Sequence, residues 1–418
     1  MGLDITAADK VLKIHYARSL KSLLFDIDKY PLWNTLDKRA GTLVKNAFGS
    51  AFYVPFRLED NQSVSAGTPA AAETKAATSG EGGEPTYRAF SVTPKFLYSA
   101  GVVSGPAIVQ TNGDTNAFVD ALVETTDSAL RTVKSRLALH AHGSGFAELG
   151  VLTADPGVTT VFSVGRGVKR RIKVGMDVVF AATLTGALRA GGSRRVTAVA
   201  SNGDITVSAA MDAAVASGDF VLLANEHTAS STTPTVISGL DAWNPVTEPA
   251  AAESFFGVDR SVDYRLGGIR LLASDFTNVR EGLIELAMEM DAEQMTPKLG
   301  YANPLNWAAL AKLQEGTRDI IDGNTDATMG FGTLTVHAPC GPIKIMSDPT
   351  APLGRIRILD PKHVYWAYAG PGLVHFVEED GNMIRKVSGQ DAFMVEVRSA
   401  ANIVCDAPNA IGVLHTIT

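Results

Sequence analysis

The stretch DTNAFVDALVETTDSALRTVKSRLALHAHGSG, residues 114 to 145, is the most strongly patterned part of the chain, and its period decides what the residues at its end can do. Apolar or small residues recur at Phe118, Leu122, Thr126, Ala129, Val133, Leu137 and Ala141 in steps of three or four, which is one face of a helix. Acids sit early (Asp114, Asp120, Glu124, Asp127) and bases late (Arg131, Lys134, Arg136), the order the helix dipole favours. A helix from Asn116 to His142 would be about 40 Å long. Gly143 stands where a C-terminal cap belongs, and with Gly145 it turns the chain toward the β-rich segment beyond.

The end of that helix, HAHGSGF, also invites a chemical reading. His140 and His142 are candidate ligands for a metal-dependent hydrolase, but residues two apart on a helix point roughly 200° from each other. No HExxH or CxxC accompanies them. Ser144 lies in G-S-G after a helix, whereas a nucleophile elbow places its serine on a strand-to-helix turn. The glycine- and base-rich GRGVKRR, residues 165 to 171, lacks the GK[ST] of a phosphate-binding loop and no helical pattern comes after it. Arg166, Lys169, Arg170, Arg171 and Lys173 therefore read as a solvated basic face. VEEDGN, residues 377 to 382, reads as a hairpin turn. No constellation for enzyme chemistry emerges, and no metal or cofactor is expected.

On either side of the helix the chain is organised unevenly. Residues 1 to 48 are amphipathic but interrupted by Tyr30, Pro31 and Trp33, which suits short helices in an arm that needs another surface to lie on. GSAFYVPFRLED (49 to 60) and TYRAFSVTPKFLYSAGVVSG (86 to 105) read as strands joined by a loop rich in Ala, Gly, Ser and Thr. Two strands alone are marginal in water, so this excursion is expected to rest on a neighbour. Phe52, Tyr53, Phe56, Arg57, Tyr87, Arg88 and Phe90, with Tyr30 and Trp33 of the arm, are the candidate intersubunit contacts. Residues 158 to 224 hold eight basic and four acidic side chains, a local charge of +4, in short β-rich runs separated by turns, which points to an inserted β-barrel or sandwich. A mixed α/β region comes next. ASDFTNVREGLIELAMEMDAEQM and NPLNWAALAKLQEG are capped helices, the second with Asn303 as N-cap, and seven strand patterns run from TLTVHAP to NAIGVLHTIT.

Bulk properties narrow the function classes. At 418 residues two or three units are expected, and 45% hydrophobic with 19% charged residues describes a globular protein. A net charge of -7 argues against a dedicated nucleic-acid binder. Cys340 and Cys405 are too few for a disulfide framework, which suits a reducing compartment. No signal peptide or membrane span is expected, and the Gly2 to Thr6 match to a myristoylation pattern reads as coincidence.

The succession of arm, long hairpin, long helix and late α/β region resembles the major capsid protein of tailed bacteriophages, the Hong Kong phage capsid fold. FFGVDRSVDYRLGGIRL (255 to 271), NPLNWAALAKL (303 to 313), GPIKIMSDPTAPLGRIRILDPKHVYWA (341 to 367) and CDAPNAIGVLHTI (405 to 417) are similar to four of its local patterns, in the same order. The resemblance implies an α+β fold with an N-arm at 1 to 48 and an E-loop at 49 to 100. A P-domain would take 101 to 157 and 360 to 400, with its spine helix at 116 to 142. An A-domain would take 225 to 359 and 401 to 418, with a β-barrel-like insertion domain at 158 to 224. It further implies a virion protein, assembled in the host bacterial cytoplasm as hexamers and pentamers of an icosahedral shell around double-stranded DNA, which it approaches only weakly and without specificity. The implied partners are a scaffolding protein, a portal, and a maturation protease or decoration proteins, with no membrane. No lysine and asparagine pair for covalent crosslinking is identified. An encapsulin-like nanocompartment shell is the alternative on the same fold.

Overall fold

The computed structural model describes residues 30–40, 44–46, 49–61, 63–64, 66, 69–77, 85–106, 115–315, 334–378 and 384–417. Most of the expected arm, residues 1 to 29, and the expected turn at 379 to 382 lie outside them.

Among the described residues three large apolar cores organise the chain, with a fourth, small cluster at Val179, Ala181 and Leu222. The first belongs to a six-stranded sheet built on the strand Ala392–Cys405, whose 14 residues reach two sets of partners. Its residues 392 to 401 pair with Lys95–Ser104 on one side, and 393 to 398 pair with His375–Phe376 and Ile384–Lys386 on the other. Its second half pairs with Val364–Tyr368, which takes Asp37–Ala40 as a parallel partner. The helix Thr115–His140 crosses this sheet, and the expected face is the buried one at Ala129, Val133, Leu137 and Ala141. At Gly101 helix and sheet approach so closely that an added Cβ would lie 2.6 Å from Thr125 Cγ2.

The second core fills a six-stranded β module in the order Glu148–Val151, Phe220–Leu223, Asp177–Ala181, Arg194–Val199, Asp204–Val207, Val161–Ser163. Thr153 N–H donates to the Ser163 carbonyl at 3.0 Å and brings the two end strands together, as in a barrel. The module begins at Glu148, before the expected residue 158, because Phe220–Leu223 needs an antiparallel partner and finds it at Val151 to Glu148. Leu139 of the long helix shares this core, so module and helix are packed as one body.

The third core lies under a sheet ordered Ile269–Leu272, Ile411–His415, Arg355–Leu359, Leu299–Ala302, Gly341–Ser347, Leu334–Ala338. Helices Val279–Ala292 and Pro304–Glu315 cover it. Their caps accord with the sequence: Asn278 Oδ1 accepts from Glu281 N–H at 2.9 Å, and Asn303 Oδ1 accepts from Leu305 N–H at 3.1 Å.

A short helix, Leu240–Trp243, sits where the units meet. Trp243 is fully buried and donates its indole N–H to the Ile403 carbonyl at 3.0 Å. Asn244 Nδ2 bridges the Ile269 and Ile411 carbonyls, and Asp241 pairs with Arg355 and Arg357. Gly239 starts this helix against the end of the long one, where an added Cβ would stand 2.3 Å from the His140 carbonyl oxygen and 2.4 Å from that of Ala141. Both obstacles are backbone and cannot rotate away. Gly239→Ala is therefore expected to destabilise the subunit by about 1–3 kcal/mol, read as a lower midpoint in thermal unfolding with the secondary structure retained.

Candidate assembly surfaces and the joint behind them

The long helix ends on the histidines that the sequence singles out. Helical geometry stops at His140, and the next turns tighten, with His142 N–H donating to the Leu139 carbonyl at 3.4 Å and Gly143 N–H to that of His140 at 2.9 Å. Gly143 is thus part of a tight turn and not a left-handed cap. The left-handed residue is Gly145, at φ 98°. Both histidines are buried, and they point to different partners. His140 Nε2 lies 2.5 Å from Glu226 Oε2 of the β module, and His142 Nε2 lies 3.1 Å from Asp348 Oδ2 of the third unit. The pair does not converge on a metal position, and among the described residues no group of His, Cys, Asp and Glu does. The Ser144 hydroxyl is buried with no hydrogen-bond partner, and the Glu148 carboxylate beside it accepts from the Ser144 backbone N–H at 2.6 Å, not from the hydroxyl.

Asp348 gathers the surrounding elements. Fully buried, its carboxylate accepts from Leu32 N–H at 3.3 Å, from His142, and from the N–H and hydroxyl of Thr350 at 2.9 and 2.6 Å. Burial alone would push this carboxyl up, but His142 and Thr350 outweigh it and hold the group below its ordinary range. Glu226 behaves likewise, lowered against the effect of burial by His140 and Arg136.

The candidate intersubunit residues divide in two. Tyr30, Trp33, Phe52 and Phe90 belong to the first core and are buried within the chain, so they are not available to a neighbour as the sequence leads one to expect. The physical reason is an aromatic stack: Phe56 lies on Phe90 at 4.8 Å, Phe90 meets Trp243 edge-on at 5.2 Å, and Trp33 meets Trp366 at 5.4 Å. The hairpin of Gly49–Glu59 and Thr86–Val92 is therefore rooted in its own subunit by one face. Its other face keeps Tyr53, Arg57 and Tyr87 exposed, Tyr87 at 66%, and Arg88 is exposed near the tip.

One surface is not anticipated by the sequence patterns above. The run from Thr86 to Gly105 is two strands, broken at Thr93-Pro94, and the second, Lys95–Ser104, leaves the hairpin to join the first sheet. Phe96 and Tyr98 are exposed there at 57% and 61%, stacked at 6.3 Å and 13°. Among the described residues the outer edge of this strand has no strand partner. The alternation in KFLYSAG is the signal that would have found it.

The expected basic face also divides. Residues 165 to 171 form a helical turn that presents Arg166 and Arg170 to solvent and half-buries Lys169. Arg171 turns inward instead, donating to the Leu149 and Glu148 carbonyls at 2.9 and 3.2 Å, and Lys173 donates to Ser135 of the long helix at 2.9 Å. These two serve the joint, because the module packs its basic edge on the helix.

No protein-family model matches the chain, and no curated protein does. Solved capsids do. The capsid asymmetric unit of cyanophage A-1(L) aligns over 100% of this chain and 99% of its own at 12% identity, with a TM-score of 0.56. The capsid of a native GTA particle aligns over 97% of this chain and 95% of its own at 10% identity, with a TM-score of 0.50. The chain has the phage capsid fold. Within that fold the described surface offers two aromatic faces, one on the hairpin and one on the edge strand, while the joint behind them is held by buried His and carboxylate pairs. A lowered carboxylate stabilises the subunit above its ordinary range near pH 4, and that contribution is lost as pH falls through the still lower value of the folded state. Calorimetry across an acid series is expected to show this loss, and His142→Ala, which takes one hydrogen-bond donor from the buried Asp348 carboxylate, to lower stability by about 1–3 kcal/mol.

Proposed function

We propose that the chain is a major capsid subunit, a structural protein that self-assembles through hexamers and pentamers into an icosahedral phage head around double-stranded DNA. The observation that carries this reading is the capsid alignment that spans the whole of both chains. On this reading residues 1 to 48 are the N-arm, 49 to 100 the E-loop, 101 to 157 with 360 to 400 the P-domain apart from the strand Glu148–Val151 that belongs to the β module, 225 to 359 with 401 to 418 the A-domain, and the β module an insertion. Assembly takes place in the host cytoplasm with a scaffolding protein, portal, and protease or decoration proteins as partners.

The surfaces support a shell. Tyr53, Arg57 and Tyr87 on one subunit, and Phe96 and Tyr98 on the next, are aromatic and cationic groups of the kind that carry binding energy between proteins. A net charge of -7 suits a wall that encloses DNA without clamping it. The β module braces a neighbour or is displayed outward.

Electron microscopy of the expressed protein, with its scaffold, is expected to show closed icosahedral shells. A persistent monomer under all assembly conditions, or small shells that enclose a protein cargo and no DNA, would overturn the proposal. Tyr87→Ala combined with Arg57→Ala is expected to reduce particle yield at least about tenfold, since Tyr and Arg are enriched among the minority of interface residues whose truncation costs more than about 1 kcal/mol. The circular dichroism and thermal midpoint of the subunit should stay within error, because both side chains are exposed.

A further inference from the structure

Arg136 of the long helix and Arg170, Arg171 and Lys173 of the β module converge on one narrow slot, with Tyr30, Ser135 and Thr350 completing its polar lining. No carboxylate lines it among the described residues. Its interior holds about 10 Å³, close to the space of one oxygen-sized guest, and the exposed Arg170 marks where it reaches the surface. Arg171 is 6% exposed, spends both terminal nitrogens on backbone carbonyls, and leaves its buried Nε with no hydrogen-bond partner. Lys173 is held down at about 7 by burial and by the Arg136 guanidinium. The nearest acid to Arg136 is Glu226, 3.4 Å from its Nε, and His140 already shares it. Glu226 pairs with Arg136, and Glu148, Asp241 and Asp348 act on Arg171 from outside the slot, but none of these carboxylates lines it, so the charged groups that face its interior are basic.

We propose that this slot is a phosphate-class oxyanion site, one oxygen entering between Lys173 and Arg171 and the rest of the anion resting on Arg170 at the mouth. A bound oxyanion would link the β module to the long helix and, through Thr350, to the third unit. The ligand chemistry is shared by free phosphate and by the phosphodiester of packaged DNA, and the test separates them.

Full-length protein is acylated near neutral pH with a limiting amine reagent, and modification of each lysine is read by peptide mapping. Labelling at Lys173 is expected to follow a pH midpoint near neutrality, below the ordinary lysine value, at a rate that its burial also limits. Inorganic phosphate at about ten times its dissociation constant should slow labelling at Lys173 about tenfold by mass action, at ionic strength matched with chloride. It should also move the pH profile of that labelling upward, since a neighbouring anion favours the ammonium form. Arg170→Gln, a change at an exposed position, should weaken the protection. Protection by inorganic phosphate identifies a free anion, and protection by a short duplex DNA alone identifies the phosphodiester. Labelling at Lys173 that neither phosphate nor duplex slows relative to chloride would overturn the proposal.

Discussion

The buried carboxylate of Asp348 is the constraint on which the arrangement of the subunit depends. It accepts hydrogen bonds from Leu32, His142 and Thr350, and so fastens the short helix Pro31–Thr35, the end of the long helix and the third unit at one point. A charge with no solvent around it tolerates no loose partner, because removing one leaves the penalty of desolvation uncompensated. The three elements are therefore tied in position as well as in contact. His140 with Glu226 repeats the device close by and adds the β module.

A second constraint divides the hairpin. Its inner face is spent on the aromatic stack that runs from Phe56 through Phe90 to Trp243, so the base of the hairpin is part of the subunit core. The outer face keeps Tyr53, Arg57 and Tyr87 for solvent or for a neighbour. Strand alternation does both tasks with one element, since successive side chains point to opposite faces. The same alternation on Lys95–Ser104 buries Val103 and exposes Phe96 and Tyr98.

Much of the fold was legible because it rests on local period. The long helix, its buried face at Ala129, Val133 and Leu137, the cap at Asn303, and the β character of the inserted module all arise from spacing and turn chemistry that neighbouring residues impose on each other. What was not legible depends on partners far along the chain. Lys95–Ser104 finds its place by pairing with Ala392–Cys405, some three hundred residues later, and nothing in TYRAFSVTPKFLYSAGVVSG alone announces that partner. The basic run GRGVKRR looked like one face because its charges are adjacent in sequence, yet a helical turn sends Arg166 and Arg170 outward and Arg171 into the joint.

By itself the sequence determined the elements, their order and their likeness to a capsid subunit, because helical and strand periods, caps and turns are written within a few residues of where they act. Only the tertiary structure decided which aromatic residues are core and which are surface, that His140 and His142 serve two separate carboxylates, and where the basic residues gather. Burial and charge pairing are set by residues that meet across hundreds of positions, and a linear pattern carries no record of which side chains will share the same low-dielectric space.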